Sequence, residues 1–219
     1  MADMTSEKVR HPAKFSDALL PIMRAALADC NMVLDPFAGT GKLKQIRPDA
    51  ITLELEPEWA VIGKSIVGNA LQLPFDKWTF DAICTSPCYG NRMADSFTDH
   101  QPQKNYRRNT YTHAIGRKLH DDNSGQMQWG KAYRQFHEQT WTECRRVLRH
   151  GGKFVLNISD HIRNKKRVNV AEWHIETLEK LNFIHLDTIE VETPRNRQGQ
   201  NHQLRVDCEY IVIMENEWL

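Results

Sequence analysis

The chain predicts an α/β fold on three observations. Short apolar runs alternate with stretches of helical spacing along most of its length. The first run, Met32 to Leu34, passes into a loop holding two glycines, Gly39 and Gly41. The second, Ile51 to Glu56, alternates apolar and polar residues and ends in Glu54 and Glu56. In a doubly wound sheet an acid at that strand end accepts the hydroxyls of a bound ribose.

The elements follow in order. After a mostly polar first ten residues, His11-Pro12-Ala13-Lys14-Phe15 leads to Ser16, a candidate N-cap. Ala18, Leu19, Leu20, Ile22, Met23 and Leu27 then fall at the spacing of a helix buried along one side. The first strand runs into Asp35-Pro36-Phe37-Ala38-Gly39-Thr40-Gly41, with a short helix beginning at Lys42. Glycine lets backbone approach a ligand closely, and a helix start offers free N–H groups. Asp35 would repel a pyrophosphate, so the loop suits a cation or a zwitterion. Glu54 is the preferred ribose acceptor and Glu56 the alternative. Pro57-Glu58-Trp59-Ala60 opens a helix, with proline at its first position and an acid near its positive end. Ile66 to Ala70 is a third short strand, and Leu71, Leu73, Pro74 and Phe75 read as core or pocket wall.

Strand four, Phe80 to Cys84, delivers Thr85-Ser86-Pro87-Cys88-Tyr89-Gly90. A hydroxyl, a backbone carbonyl of fixed direction and an aromatic face suit a planar ring carrying an exocyclic amine. The bland alternative is a turn, which Ser-Pro also initiates.

Residues 91–131 break the rhythm. Arg92, Lys104, Arg107, Arg108, Arg117, Lys118 and Lys131 are interleaved with Tyr106, Tyr111 and Trp129. Beside a base-binding loop, such interleaving points to phosphate contacts and stacking, against the alternative of a solvated face. Tyr133, Phe136, Trp141, Val147 and Leu148 mark a helix that His150-Gly151-Gly152 stops, and Lys153 to Ile158 is strand five. Asp160 and His161 are expected at the pocket mouth. Val168 to Leu181 is a helix, and Ile184 to Glu192 and Glu209 to Met214 complete seven strands. Between those last two, residues 194–206 carry Arg195 and Arg197 among several amides, a density that suits base-edge reading or a polar hairpin tip.

The 219 residues fit one domain with inserted loops. With 29 Lys and Arg against 28 Asp and Glu, any basic surface is local. Five cysteines without a Cys-x-x-Cys pair argue against a structural metal or a disulfide framework and fit a reducing cytoplasm. No apolar run approaches membrane-spanning length, so no membrane partner is expected, and nothing implies an obligate protein partner.

Asp35 to Gly41 and Ser86-Pro87-Cys88-Tyr89 resemble the two loops of the DNA amino-methyltransferases, with Cys88 where that family has a second proline. The resemblance implies a Rossmann-like class I methyltransferase fold, with helices on both faces of a seven-stranded, mostly parallel sheet and an antiparallel last strand. It implies S-adenosylmethionine as cofactor, held by His11, Phe15, Asp35, Pro36, Phe37, Ala38, Gly39, Thr40, Gly41, Glu54, Asn69 and Ala70. Asn69 stands where many relatives have an aspartate that reads the adenine amine, and its side-chain oxygen is expected to accept that bond. Ser86, Pro87, Cys88 and Tyr89 are the implied catalytic loop, and DNA the implied partner, with RNA as the alternative. The Thr-Ser-Pro-x-Tyr form is most similar to members that methylate N4 of cytosine; N6 of adenine stays open. Residues 90–133 resemble small phage- or prophage-borne methylases without a restriction partner. Pro87-Cys88 also resembles the pair in cytosine carbon-5 enzymes, but Leu156-Asn157-Ile158 lacks their glutamate, which favours direct transfer to the amine. A non-catalytic binding module on the same fold is the remaining alternative.

Overall fold

The computed structural model describes His11 and residues 15–90, 111–193, 204 and 206–217. The strands are β1 (Val33–Asp35), β2 (Ile51–Glu54), β3 (Ile66–Val67), β4 (Phe80–Thr85), β5 (Leu148–Ile158), β6 (His161–Arg163), β7 (Lys166–Val168), β8 (Phe183–Glu192) and β9 (Cys208–Asn216). The α-helices are α1 (Leu20–Ala26), α2 (Pro57–Gly63), α3 (Tyr111–Ile115), α4 (Lys131–Val147) and α5 (Val170–Lys180).

Among these residues seven strands form one sheet in the order β3-β2-β1-β4-β5-β9-β8. β3, β2, β1, β4 and β5 pair in parallel. β9 runs antiparallel to both its neighbours, so it alone is reversed, as the sequence implied. Alternate residues serve the two faces. Val33, Ala82, Cys84, Val155 and Ile211 pack with Leu19, Met23 and Leu27 at and around α1. Leu34, Ile83, Phe154, Leu156 and Val212 pack with Trp141, Cys144 and Val147 of α4 and Val170 and Leu178 of α5. The sheet is thus covered on both sides, which is why β4 reads as a continuous apolar run rather than an alternating one.

Two details depart from the sequence reading. Strand five begins at Leu148, directly after α4, and His150-Gly151-Gly152 lies inside it. Gly151 at φ +69° accommodates a bulge: Phe80 pairs with Leu148, but Ala82 pairs with Lys153. A glycine that reads as a helix stop is here a strand bulge. The second departure is the β6–β7 hairpin, which occupies residues read as a loop and the start of the next helix.

The order of the chain reverses between β1 and β4, which lie side by side with Leu34 opposite Ile83. At such a reversal the following loops diverge and leave a crevice. The loops there are the glycine loop after β1 and the Ser86–Gly90 loop after β4.

Candidate active site

The crevice is a cavity of about 430 Å³. Its wall contains His11, Phe15, Pro36, Phe37, Ala38, Gly39, Thr40, Glu54, Asn69, Ala70, Ser86, Pro87, Cys88 and Tyr89. Residues up to 78 positions apart in sequence that were singled out for two separate ligands therefore face one space. Asp35 and Gly41 do not line it.

Asp35 instead braces the two loops from beneath. Its Oδ1 accepts from the Phe37 amide at 3.1 Å and from the Thr85 hydroxyl at 2.8 Å, tying the end of β1 to the end of β4. Burial pushes its carboxyl up to about 6. Gly41, at φ +75°, lies against α2: a Cβ there would stand 2.9 Å from the Gly63 Cα and carbonyl oxygen. The loop can turn under the cavity only because neither residue has a side chain.

Glu54 sits at the end of β2 with its carboxylate shared between two backbone donors, Gly39 N–H at 2.8 Å and Glu56 N–H at 2.9 Å. Burial nevertheless raises it to about 7. Glu56, the alternative ribose acceptor, faces elsewhere. It is buried, and accepts from the His120 amide and the Asn123 side chain, both at 2.8 Å, and from Arg117 at 2.7 Å. Arg117, read as a basic residue of the insert, also grips Glu58 at 2.6 Å. Lys118 pairs with Asp121 at 2.6 Å. These cations are held within the protein by acids.

By this clamp the segment 117–124 becomes cavity wall, contributing Asp122, Asn123 and Ser124, with Tyr111 of α3 beside them. The Asn69 side chain meets it. Its amide nitrogen donates to Asp122 at 2.8 Å, and its oxygen accepts from the Leu71 amide at 2.9 Å. The sequence reading gave that oxygen to the ligand. Here that oxygen also holds the chain's own turn, with one lone pair left over.

The Ser86–Tyr89 loop has partners that sequence reasoning missed. Asn157 of β5 donates to Ser86 Oγ and to Tyr89 Oη, each at 3.1 Å, and to Glu209 of β9 at 2.9 Å. The Tyr89 hydroxyl donates to the same Glu209 oxygen at 3.1 Å. Glu209 lines the cavity. Cys88 Sγ lies 3.3 Å from the Tyr111 hydroxyl, and loss of solvent raises its thiol above the usual range. Gly90, at φ +63°, accepts from the Trp129 amide at 2.8 Å, so the insert also closes onto this loop.

The expectation for Asp160 and His161 is corrected: neither lines the cavity. Asp160 binds Arg167 at 2.8 Å and the Ala171 amide at 3.0 Å, so the β6–β7 hairpin and the start of α5 claim it. Arg92, Lys104, Arg107, Arg108, Arg195 and Arg197, the candidate nucleic-acid contacts, lie outside the described residues.

Among the described lining residues Lys42 is the single Lys or Arg, and Asp17, at 2.7 Å, and the Phe15 carbonyl hold it. Glu54, Asp122 and Glu209 face the same space. This donor and acceptor set fits a positively charged nucleoside and disfavours a pyrophosphate.

Solved structures share the fold at low identity. A protein of Pyrococcus horikoshii OT3 is 16% identical, with a TM-score of 0.55, over 98% of this chain and 94% of that one. A SAM-dependent methyltransferase from Methanosarcina mazei is 11% identical, TM-score 0.56, over 91% and 98%. The 1,6-didemethyltoxoflavin-N1-methyltransferase of Burkholderia thailandensis, solved with S-adenosylhomocysteine, is 14% identical, TM-score 0.54, over 92% and 79%. No curated protein matches the sequence. The sequence pattern of the DNA methylase (N6/N4) family matches residues 80–217, from the first residue of β4 to the residue after β9. That match takes in the Ser86–Gly90 loop, the insert, Asn157 and Glu209, and makes the chain a member of the DNA methylase family.

Proposed function

We propose that the protein transfers a methyl group from S-adenosylmethionine to the exocyclic amine of a base in DNA, with N4 of cytosine as the first expectation. The observation that carries this reading is the single cavity joining the glycine loop and Glu54 to the Ser86–Tyr89 loop. Membership of the DNA methylase family supports a nucleic-acid acceptor.

Bound S-adenosylmethionine would supply an electrophilic methyl group on a positively charged sulfur. His11, Phe15 and Pro36 to Thr40 would wall its site, and Glu54 would accept its ribose hydroxyls. The Ser86 hydroxyl and the Pro87 carbonyl would accept the two N–H groups of the base amine, drawing its lone pair out of conjugation with the ring. Tyr89 would pack against the base. Alignment of this kind supplies most of the acceleration expected of a displacement without a strong base. A base in duplex DNA must first leave the stack, at a cost of a few kcal/mol. Contacts from Arg92, Lys104, Arg107, Arg108, Arg195 and Arg197 to the DNA backbone would offset that cost.

Incubation with labelled S-adenosylmethionine and unmethylated DNA, followed by nucleoside mass spectrometry, tests the reading. Ser86→Ala is expected to lower kcat by on the order of 10²-fold or more while leaving cofactor affinity near that of the parent. Equal turnover in Ser86→Ala would remove this loop from the reaction.

A further inference from the structure

The bond between Asn69 and Asp122 has a fixed direction. Asn69 Nδ2 donates to Asp122 Oδ2 at 2.8 Å while Asn69 Oδ1 holds the Leu71 amide at 2.9 Å, so the side chain is oriented from both ends. Asp122 Oδ1 has no partner among the described residues, and Asp122 lines the cavity. Its backbone is set from the other side as well. Its own N–H donates to His120 Nδ1 at 3.1 Å, and the neighbouring Asn123 is anchored to buried Glu56 at 2.8 Å. A carboxylate so held offers the cavity acceptors and no donor.

We infer that Asp122, a residue of the insert, accepts the amino group of the cofactor's adenine, and that Asn69 is the residue that positions it. The inference rests on the reading of the cavity as an S-adenosylmethionine site. An adenine amine donates to this oxygen. A 6-oxo purine brings a carbonyl to the same place, so two acceptors face each other and no hydrogen bond forms. Asp122 therefore selects the aminopurine. The segment that carries it also touches the other loop, through Tyr111 on Cys88 at 3.3 Å and Trp129 on Gly90 at 2.8 Å. One segment thus spans the nucleoside end of the cavity and the loop that holds the acceptor base.

Calorimetric titration of the full chain with S-adenosylhomocysteine and with S-inosylhomocysteine tests this, in the parent, Asp122→Asn and Asp122→Ala. The parent is expected to prefer the adenosyl compound by about tenfold or more. Asp122→Asn, nearly isosteric and able to turn a donor to the 6-oxo group, is expected to lose most of that preference. Its melting temperature without ligand should stay close to the parent's, and Asp122→Ala serves if it does not. Undiminished preference in both variants would overturn the role of Asp122 and leave the cofactor site standing. A parent that binds neither compound would overturn the cofactor reading and this inference together.

Discussion

The hydroxyl of Tyr133 lies 2.8 Å from the carbonyl oxygen of Cys88, joining the middle of the Ser86–Gly90 loop to helix α4. The bond ends a relay whose direction is determined. The Trp141 indole N–H can only donate, so His174 Nδ1, 3.0 Å away, accepts. The proton of the neutral ring is then on Nε2, which donates to Tyr133 Oη at 3.0 Å, and that hydroxyl donates onward to Cys88. Burial holds His174 well below its ordinary pKa, so the relay stays neutral. Tyr133→Phe leaves two buried polar groups unpaired, at about 1–3 kcal/mol of stability. Its kcat for methyl transfer should fall more than its cofactor KM rises, because the loop, not the cofactor wall, loses its tether. Steady-state kinetics with chemical denaturation checks both.

Glu54 gives the ligand-free protein a pH signature. Native Glu54 keeps its proton up to about 7, against 4.5 for an ordinary glutamate, so between those values the native state binds more protons than the unfolded chain. Stability therefore falls as pH rises through that window. Asp35 adds to the fall between 3.8 and about 6. Thermal melts should show the loss, and Glu54→Gln should flatten it between about pH 6 and 7. A hydroxyl donated by a nucleoside favours the ionised carboxylate, so binding should strengthen across the same window.

Arg117→Ala should loosen the wall that carries Asp122. Arg117 is 40% exposed, and Glu56 keeps the His120 and Asn123 donors, so the cost is about 1–2 kcal/mol rather than the larger value for stripping a fully buried charge. Cofactor affinity should drop with it, and titration of the variant measures the drop.

Cys88→Ser should keep most of the activity. The thiol is held above its usual range and 3.3 Å from Tyr111, where no cation among the described residues favours the thiolate. A variant without turnover and a covalent protein–DNA adduct in the parent would instead identify Cys88 as a nucleophile.

The strands of the seven-stranded sheet were legible because buried β4 and the alternating β2 leave plain patterns, and the two loops because glycine, proline and an acid mark strand ends. Glu209 was not. It reaches Tyr89 across 120 residues because β9 inserts antiparallel beside β5, a pairing that strand periodicity does not encode. Asp122 was hidden for another reason: it sits in a polar stretch where charge suggests solvent, and Glu56, Arg117 and Asn123 fold that stretch inward. Tyr133 and Trp141 did carry a signal, as part of the apolar spacing that marked α4. That spacing showed a helix, but the polar atoms of these two residues, with His174 of α5, form the relay to Cys88.

The measurement closest to the central claim is mass spectrometry of nucleosides from DNA incubated with the protein and labelled S-adenosylmethionine. The account predicts label on an exocyclic amine, as N4-methylcytosine first and N6-methyladenine second, abolished when Ser86 and Tyr89 are replaced together. Label on carbon 5 of cytosine, or DNA without label under conditions where the protein binds S-adenosylhomocysteine, would contradict it.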